Sequence, residues 1–297
     1  MNALRTAAGE LRVPWRIAIF GAAIFACTFA FLAIGLGVVS ATPVASLARA
    51  ARIPVDQWFT AISLVMATWM TGRLAHEDGF AVWRYVDGGE ASWKVGRIGV
   101  ASLAGVLVIA IPSLLLVTIG AARFESSVAA DSGFVIGWAA LVLLLPAALS
   151  EELIFRGYLF SACRDGIGPR GAVVVTSVLF GLAHLLNPDP SVASVAAVVV
   201  AGAFLAVVRI ATGSLAAAVG AHFWINFTQT AILHAPVSGL AFQMPGYRFV
   251  NTGPDWATGG SWGPEAGAGA VLAFAVASFL YLRRGGSARN STPAATP

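Results

Sequence analysis

Long apolar runs separated by short polar or charged connectors dominate the chain. They predict membrane-spanning helices at roughly 16–40, 54–72, 98–121, 134–160, 170–187, 192–210, 214–233 and 266–282. Each run approaches the roughly 20 apolar residues needed to cross a hydrocarbon core of about 30 Å. The expected fold class is therefore all-α, a polytopic membrane helix bundle of about eight transmembrane helices. The first run, Ile17 to Val39, follows Arg5, Arg12 and Arg16. It is much longer than the apolar core of about 7 to 15 residues in a cleavable signal, so an uncleaved signal-anchor is expected.

Composition strengthens this picture. Hydrophobic residues make up 58% of the 297 positions and charged residues only 11%, with a mean hydropathy of +0.81. A soluble domain carries about 25% charged residues. Arg5, Arg12, Arg16, Arg73, Arg84, Lys94, Arg97, Arg164, Arg170, Arg209, Arg283, Arg284 and Arg289 gather on one side if the N-terminus is cytoplasmic. Only Arg49, Arg52, Arg123 and Arg248 fall on the other. The positive-inside rule then puts both termini in the cytoplasm. The net charge of +4 reflects that topology and points to no nucleic-acid partner. Seventeen arginines against one lysine in an Ala- and Gly-rich chain suggest a bacterial source, hence a bacterial cytoplasmic membrane. Cys27 and Cys163 fall in or at the end of spans and read as packing residues.

Within this apolar background Glu151 and Glu152 stand at the end of the run from Phe134 to Ser150. A carboxylate at the centre of a bilayer costs roughly 2.5 to 3.5 kcal/mol on the insertion scale, and such residues usually serve chemistry or ion passage. Helix geometry puts Glu152 and Arg156 on one face, with Glu151 about 100° away, so the two acids need not share a role. The plainer reading is that both neutralise Arg156. Phe180 and His184 share a face of the next span, and His222 and Asn226 share a face of the seventh. One intramembrane histidine reads as packing; two, with an amide and a carboxylate pair, read as a site.

The ordered trio Glu151-Glu152-x-x-x-Arg156, Phe180-x-x-x-His184 and His222-x-x-x-Asn226 resembles the CPBP family of intramembrane endopeptidases, which includes the type II CAAX-prenyl proteases and the bacteriocin-processing and immunity group. The resemblance covers roughly residues 130 to 235. It implies that Glu151 is the catalytic glutamate, that His184 holds the attacking water with it, and that His222 and Asn226 stabilise the oxyanion. Glu152 and Arg156 are implied to be a structural ion pair.

Domain boundaries follow: N-terminal transmembrane helices at 1–125, a catalytic helical core at 130–235, an extracytoplasmic loop at 236–265, a last transmembrane helix at 266–284 and a disordered tail at 285–297. The expected function is hydrolysis of membrane-embedded or lipid-associated peptides within the bilayer. A proton- or cation-coupled transporter and a non-catalytic immunity or scaffold protein are the alternatives. No cofactor is favoured. A zinc ion on Glu151, His184 and His222 is compatible with the residue types, although no His-Glu-x-x-His string exists: His76-Glu77 is followed by Asp78, Gly79 and Phe80. Counting about 1.5 Å per residue separates Glu151 and His184 in depth by roughly 9 Å. A single site then requires tilt, a shifted boundary or a kink near Pro146.

Overall fold

The computed structural model describes residues 4–40, 55–76, 79–87, 95–127, 133–242 and 244–290. Arg49, Arg52, Glu77, Asp78, Lys94, most of the connector between Tyr85 and Val95, and tail residues 291–297 lie outside the described residues. The protein is an all-α membrane bundle, 79% helical over the described residues. Among the described residues four helical stretches are long and apolar enough to cross a membrane: Val13–Gly35, Val95–Thr118, Leu141–Leu186 and Val192–Thr212. Their outward side chains are those of a lipid-facing surface, with Phe25, Phe29, Leu115 and Val174 all exposed, as are Leu272 and Phe279 on the shorter apolar helix Ala268–Arg283. These features make it an integral membrane protein.

The chain folds as two compact units, residues 1–90 with 131–176 and residues 91–130 with 177–297. The boundary falls inside the segment expected to be one catalytic core. In the first unit, α1 (Val13–Ser40) packs along α2 (Val55–His76). Their close approach rests on small and polar residues. Ala23, Cys27 and Ala67 are buried together, a Cβ on Gly35 would come within 2.7 Å of the Phe59 ring, and the hydroxyls of Thr28 and Ser63 are 3.1 Å apart. This is how helices associate where lipid removes the hydrophobic drive. The short α3 (Ala81–Asp87) precedes the chain's passage to the second unit. The chain returns in α5 (Gly133–Glu152), a π-helical turn at Leu153–Tyr158 and α6 (Leu159–Ala183). Gly168, at φ 75° and ψ 170° before Pro169, splits α6 into two arms. The backbone irregularities thus fall at Leu153–Tyr158 and Gly168, whereas Pro146 lies within α5.

The second unit contains α4 (Val95–Thr118), the end of α6 with a 3-10 turn at His184–Leu186, α7 (Val192–Thr212), and α8 (Leu215–Phe227) continuing into a π turn at Thr228–Leu233. It closes with α9 (Asp255–Thr258) and α10 (Ala268–Asn290). Serines start two of these helices: Ser191 and Ser194 form a capping box on α7, and Ser214 accepts from Ala217 N on α8. Ile109, Phe204, Val208, Ala217, Ala221 and Phe274 form the core. At Gly105 α4 comes so near α8 that a Cβ would meet the Ala221 carbonyl oxygen at 2.3 Å. Cys27 and Cys163 are buried and unbridged.

Two features differ from the helical pattern alone. Residues Ala122–Ser127 (β1) and Gly246–Asn251 (β2) form an antiparallel pair with Phe124 opposite Phe249 and Glu125 opposite Arg248. Each strand is six residues of mixed polarity, and its partner is remote in sequence, so periodicity gives little signal. Arg123 and Arg248, which stood apart from the basic side of the topology, both bond Glu125, at 2.6 and 2.8 Å. Residues 234–265 are also more than a connecting loop, since they hold β2, α9, two 3-10 turns and several buried side chains. Helix α10 runs to Asn290, into the segment expected to be a disordered tail.

Candidate active site

In the first unit the two glutamates have distinct environments. Glu152 is completely buried, as is Arg156, and Arg156 Nη1 donates to Glu152 Oε1 at 2.9 Å. Glu151 is only half-buried. The four-residue spacing meets here although the backbone is π-helical from Leu153 and Gly157 leaves helical geometry at φ −83° and ψ −118°. A π turn directly after a charged pair is a frequent mark of a functional site.

The far end of that turn is also anchored. The fully buried Tyr158 packs its ring 5.0 Å from Phe20, and its hydroxyl lies 2.9 Å from His76 Nε2 and 3.5 Å from Arg16 Nε. Arg16 also bonds Tyr85, and both reach Asp165, at 3.0 and 2.7 Å. Burial pushes the Tyr85 phenol well above its ordinary range, and its bond to the Asp165 carboxylate adds to the effect. Arg16, expected only as a topological charge, is thus a buried structural residue. Nothing in its spacing identifies Asp165, 149 positions away, as its partner.

In the second unit His184, His222 and Asn226 line one cavity. Phe180 packs edge-on against both imidazoles, with its ring centroid 4.7 Å from His184 and 5.8 Å from His222. His184 Nδ1 is 2.8 Å from the Phe180 carbonyl oxygen, which can only accept, so Nδ1 carries the proton and the neutral ring has its lone pair at Nε2. The cavity volume of about 20 Å³ is room for a single water molecule. His222 and Asn226 are buried at its wall.

The same cavity reaches Ser238 and Glu265, which sequence reasoning did not single out. Glu265 is buried, with Oε1 accepting from Ser238 N and Oγ at 2.8 and 2.6 Å and Oε2 accepting from Gln229 Nε2 at 2.9 Å. The available signal was an acidic residue directly before the last apolar run. His184, His222 and Glu265 do not form a group that could hold a metal ion, because the carboxylate is directed at its own donors. The seven residues of the sequence motifs therefore fall in two groups: Glu151, Glu152 and Arg156 in the first unit, and Phe180, His184, His222 and Asn226 in the second.

Residues 133–228 match the family model of the Rce1-like type II CAAX prenyl endopeptidases. The matched segment spans all three motifs, about a third of the chain, and is consistent with a CPBP-family intramembrane protease. No curated protein and no solved structure matches the chain.

Proposed function

We propose that the protein hydrolyses peptide bonds of membrane-embedded or lipid-associated peptides through a water activated by Glu151 and oriented by His184. The observation that carries this reading is the cavity of one-water size bounded by His184, His222 and Asn226 in a segment matched to a membrane protease family. Glu151 takes a proton from the water as the water oxygen attacks the scissile carbonyl, then passes that proton to the leaving amine. His184, neutral and protonated at Nδ1, accepts a hydrogen bond from the water at Nε2. His222 and the Asn226 amide donate to the developing oxyanion.

Glu152 and Arg156 supply no proton in this scheme. Arg156 is hydrogen-bonded to Glu152, and Glu151, the acid outside that bond, is the one this reading takes as the base. A zinc ion would supply Lewis-acid polarisation of the carbonyl or water, and the His184 tautomer suits metal ligation as well as it suits a water. Glu265, the third strong ligand type at the cavity, is committed elsewhere, so the residues present fit a zinc only in part. The protein is proposed to lie in a bacterial cytoplasmic membrane with both termini cytoplasmic.

The test is comparative proteomics of membrane peptides from cells carrying the wild-type protein or Glu151→Gln. Peptides cut only by the wild type support the reading. Identical peptide sets, with proton flux through liposomes containing the purified protein, would replace it with a transporter.

A further inference from the structure

The second unit contains a polar latch beyond the matched segment. Residues Val237 to Leu240 form a tight hairpin turn in which Ser238 and Gly239 have φ of 48° and 80°. Such a turn requires two left-handed residues, and a serine there is held by its surroundings. Three contacts hold it. Gly239 N donates to Trp262 O at 3.0 Å, a Cβ on Gly239 would lie 2.5 Å from Pro188 O, and Ser238 donates twice to Glu265.

The turn is tied to both motif helices. Asn187 Nδ2 donates to Ser238 O at 2.9 Å, and Asn187 N donates to His184 O at 3.1 Å, which links the turn to the segment bearing His184. Gln229, completely buried one turn beyond Asn226, donates through Nε2 to Glu265 Oε2 and accepts from Glu265 N at 3.2 Å. A buried carboxylate that accepts at both oxygens from groups of the protein itself suits an anchoring role.

We infer that Glu265 is a positioning residue of the proposed hydrolytic site, joining Gln229 and Ser238 so that His184 and Asn226 face one water-sized cavity. The inference rests on the peptidase reading above. It adds a residue outside the family match, and the geometry makes the role exchangeable. Gln229 cannot turn its amide, because Oε1 accepts from Glu265 N. Glu265→Gln therefore sets amide N–H groups against amide N–H groups, and Gln229→Glu sets carboxylate against carboxylate. The double variant Gln229→Glu, Glu265→Gln exchanges the two groups and restores every bond.

Two readouts on the full-length protein test this. One is the kcat for a membrane peptide that the wild type cleaves. The other is the rate of diethyl pyrocarbonate modification at His184, resolved by mass spectrometry. Each single variant should lower kcat by about 10- to 100-fold, as a site displaced by a fraction of an ångström to 1 Å does, with little change in KM. Each should also speed His184 modification, and the double variant should recover most of both. A double variant as impaired as Glu265→Gln would overturn the inference, because the carboxylate itself would then be needed. Single variants indistinguishable from wild type would overturn it as well. If the wild type cleaves nothing, the peptidase reading falls. The latch then stands or falls on whether His184 modification rises in the single variants and returns in the double.

Discussion

Removing one member of the Glu152–Arg156 pair should be among the most damaging single changes in the protein. Both side chains are 0% exposed and the charged atoms are 2.9 Å apart. At an effective dielectric of about 20, two unit charges at that distance attract by about 6 kcal/mol, which opposes a desolvation cost of several kcal/mol for each ion. The intact pair is therefore close to neutral for stability. Its broken halves are not, since Glu152→Ala or Arg156→Ala removes the hydrogen-bonded ion partner of a fully buried charge, at a cost of about 3 to 5 kcal/mol. For a chain of this size that is a fall in melting temperature of about 6 to 10 °C, at about 2 °C per kcal/mol. An exposed pair would move it by no more than about 2 °C. The assay is thermal unfolding in detergent of both single variants and of Glu152→Met, Arg156→Met. The paired methionine variant should be more stable than either single alanine variant, because it removes both charges together. Single variants within 1 °C of wild type, or a double variant that sums the two single losses, would refute the buried-pair argument.

Three further outcomes are expected. Glu151→Gln, His184→Ala and His222→Ala should each abolish peptide cleavage while leaving a folded, membrane-inserted protein, and Asn226→Ala should lose about 100- to 1,000-fold as an oxyanion donor does; full activity in Glu151→Gln removes the base. Cleavage by purified protein should survive prolonged chelation; loss of activity together with near-stoichiometric zinc, both restored by added metal, would move the chemistry to a metal. Hydrogen bonds from Arg123 and Arg248 hold the Glu125 carboxyl below its ordinary range. Because the folded-state value is the lower one, the contribution to β1–β2 is present above the unfolded-state range near pH 4 and lost as pH falls through the folded value. The difference in melting temperature between wild type and Glu125→Gln should shrink over that interval, and a difference independent of pH would contradict the pairing.

What the sequence made legible is local. Apolar run length located most of the helices, because a bilayer demands unbroken backbone hydrogen bonding and apolar side chains over a fixed thickness. Four-residue spacing put Glu152 beside Arg156, and it put His222 and Asn226 on one cavity wall. What it left hidden depends on remote partners. Asp165 meets Arg16 from far along the chain, Phe249 meets Phe124 across a strand pair, and Glu265 meets Gln229 only because a folded segment of some thirty residues returns to α8. Residues 234–265 are rich in Gly and Pro, a composition that signals a loop by propensity. In the structure several of those glycines supply the positive φ angles and close contacts that let a compact fold form. Gly259 and Gly263 both have positive φ, and a Cβ on Gly259 would come within 1.8 Å of the Gly263 carbonyl oxygen.

A regularity joins the two groups of motif residues. The helix bearing Glu151 and Glu152 passes directly into a π turn at Leu153–Tyr158, and the helix bearing His222 and Asn226 passes into a second at Thr228–Leu233. A π turn inserts a residue into the helical ladder and leaves backbone groups to find new partners, so it persists only when its surroundings favour it. Each is secured by buried side chains at its own end: Tyr158 by His76 and Arg16, Gln229 by Glu265. Polar side chains in a bilayer are costly unless satisfied, and here their satisfaction is coupled to the irregular backbone beside each motif. The same coupling gives the anchors a reason to be polar. Tyr158→Phe would keep the ring against Phe20 yet remove the hydroxyl that His76 and Arg16 bond, so its effect on Glu151-dependent chemistry should exceed its effect on packing.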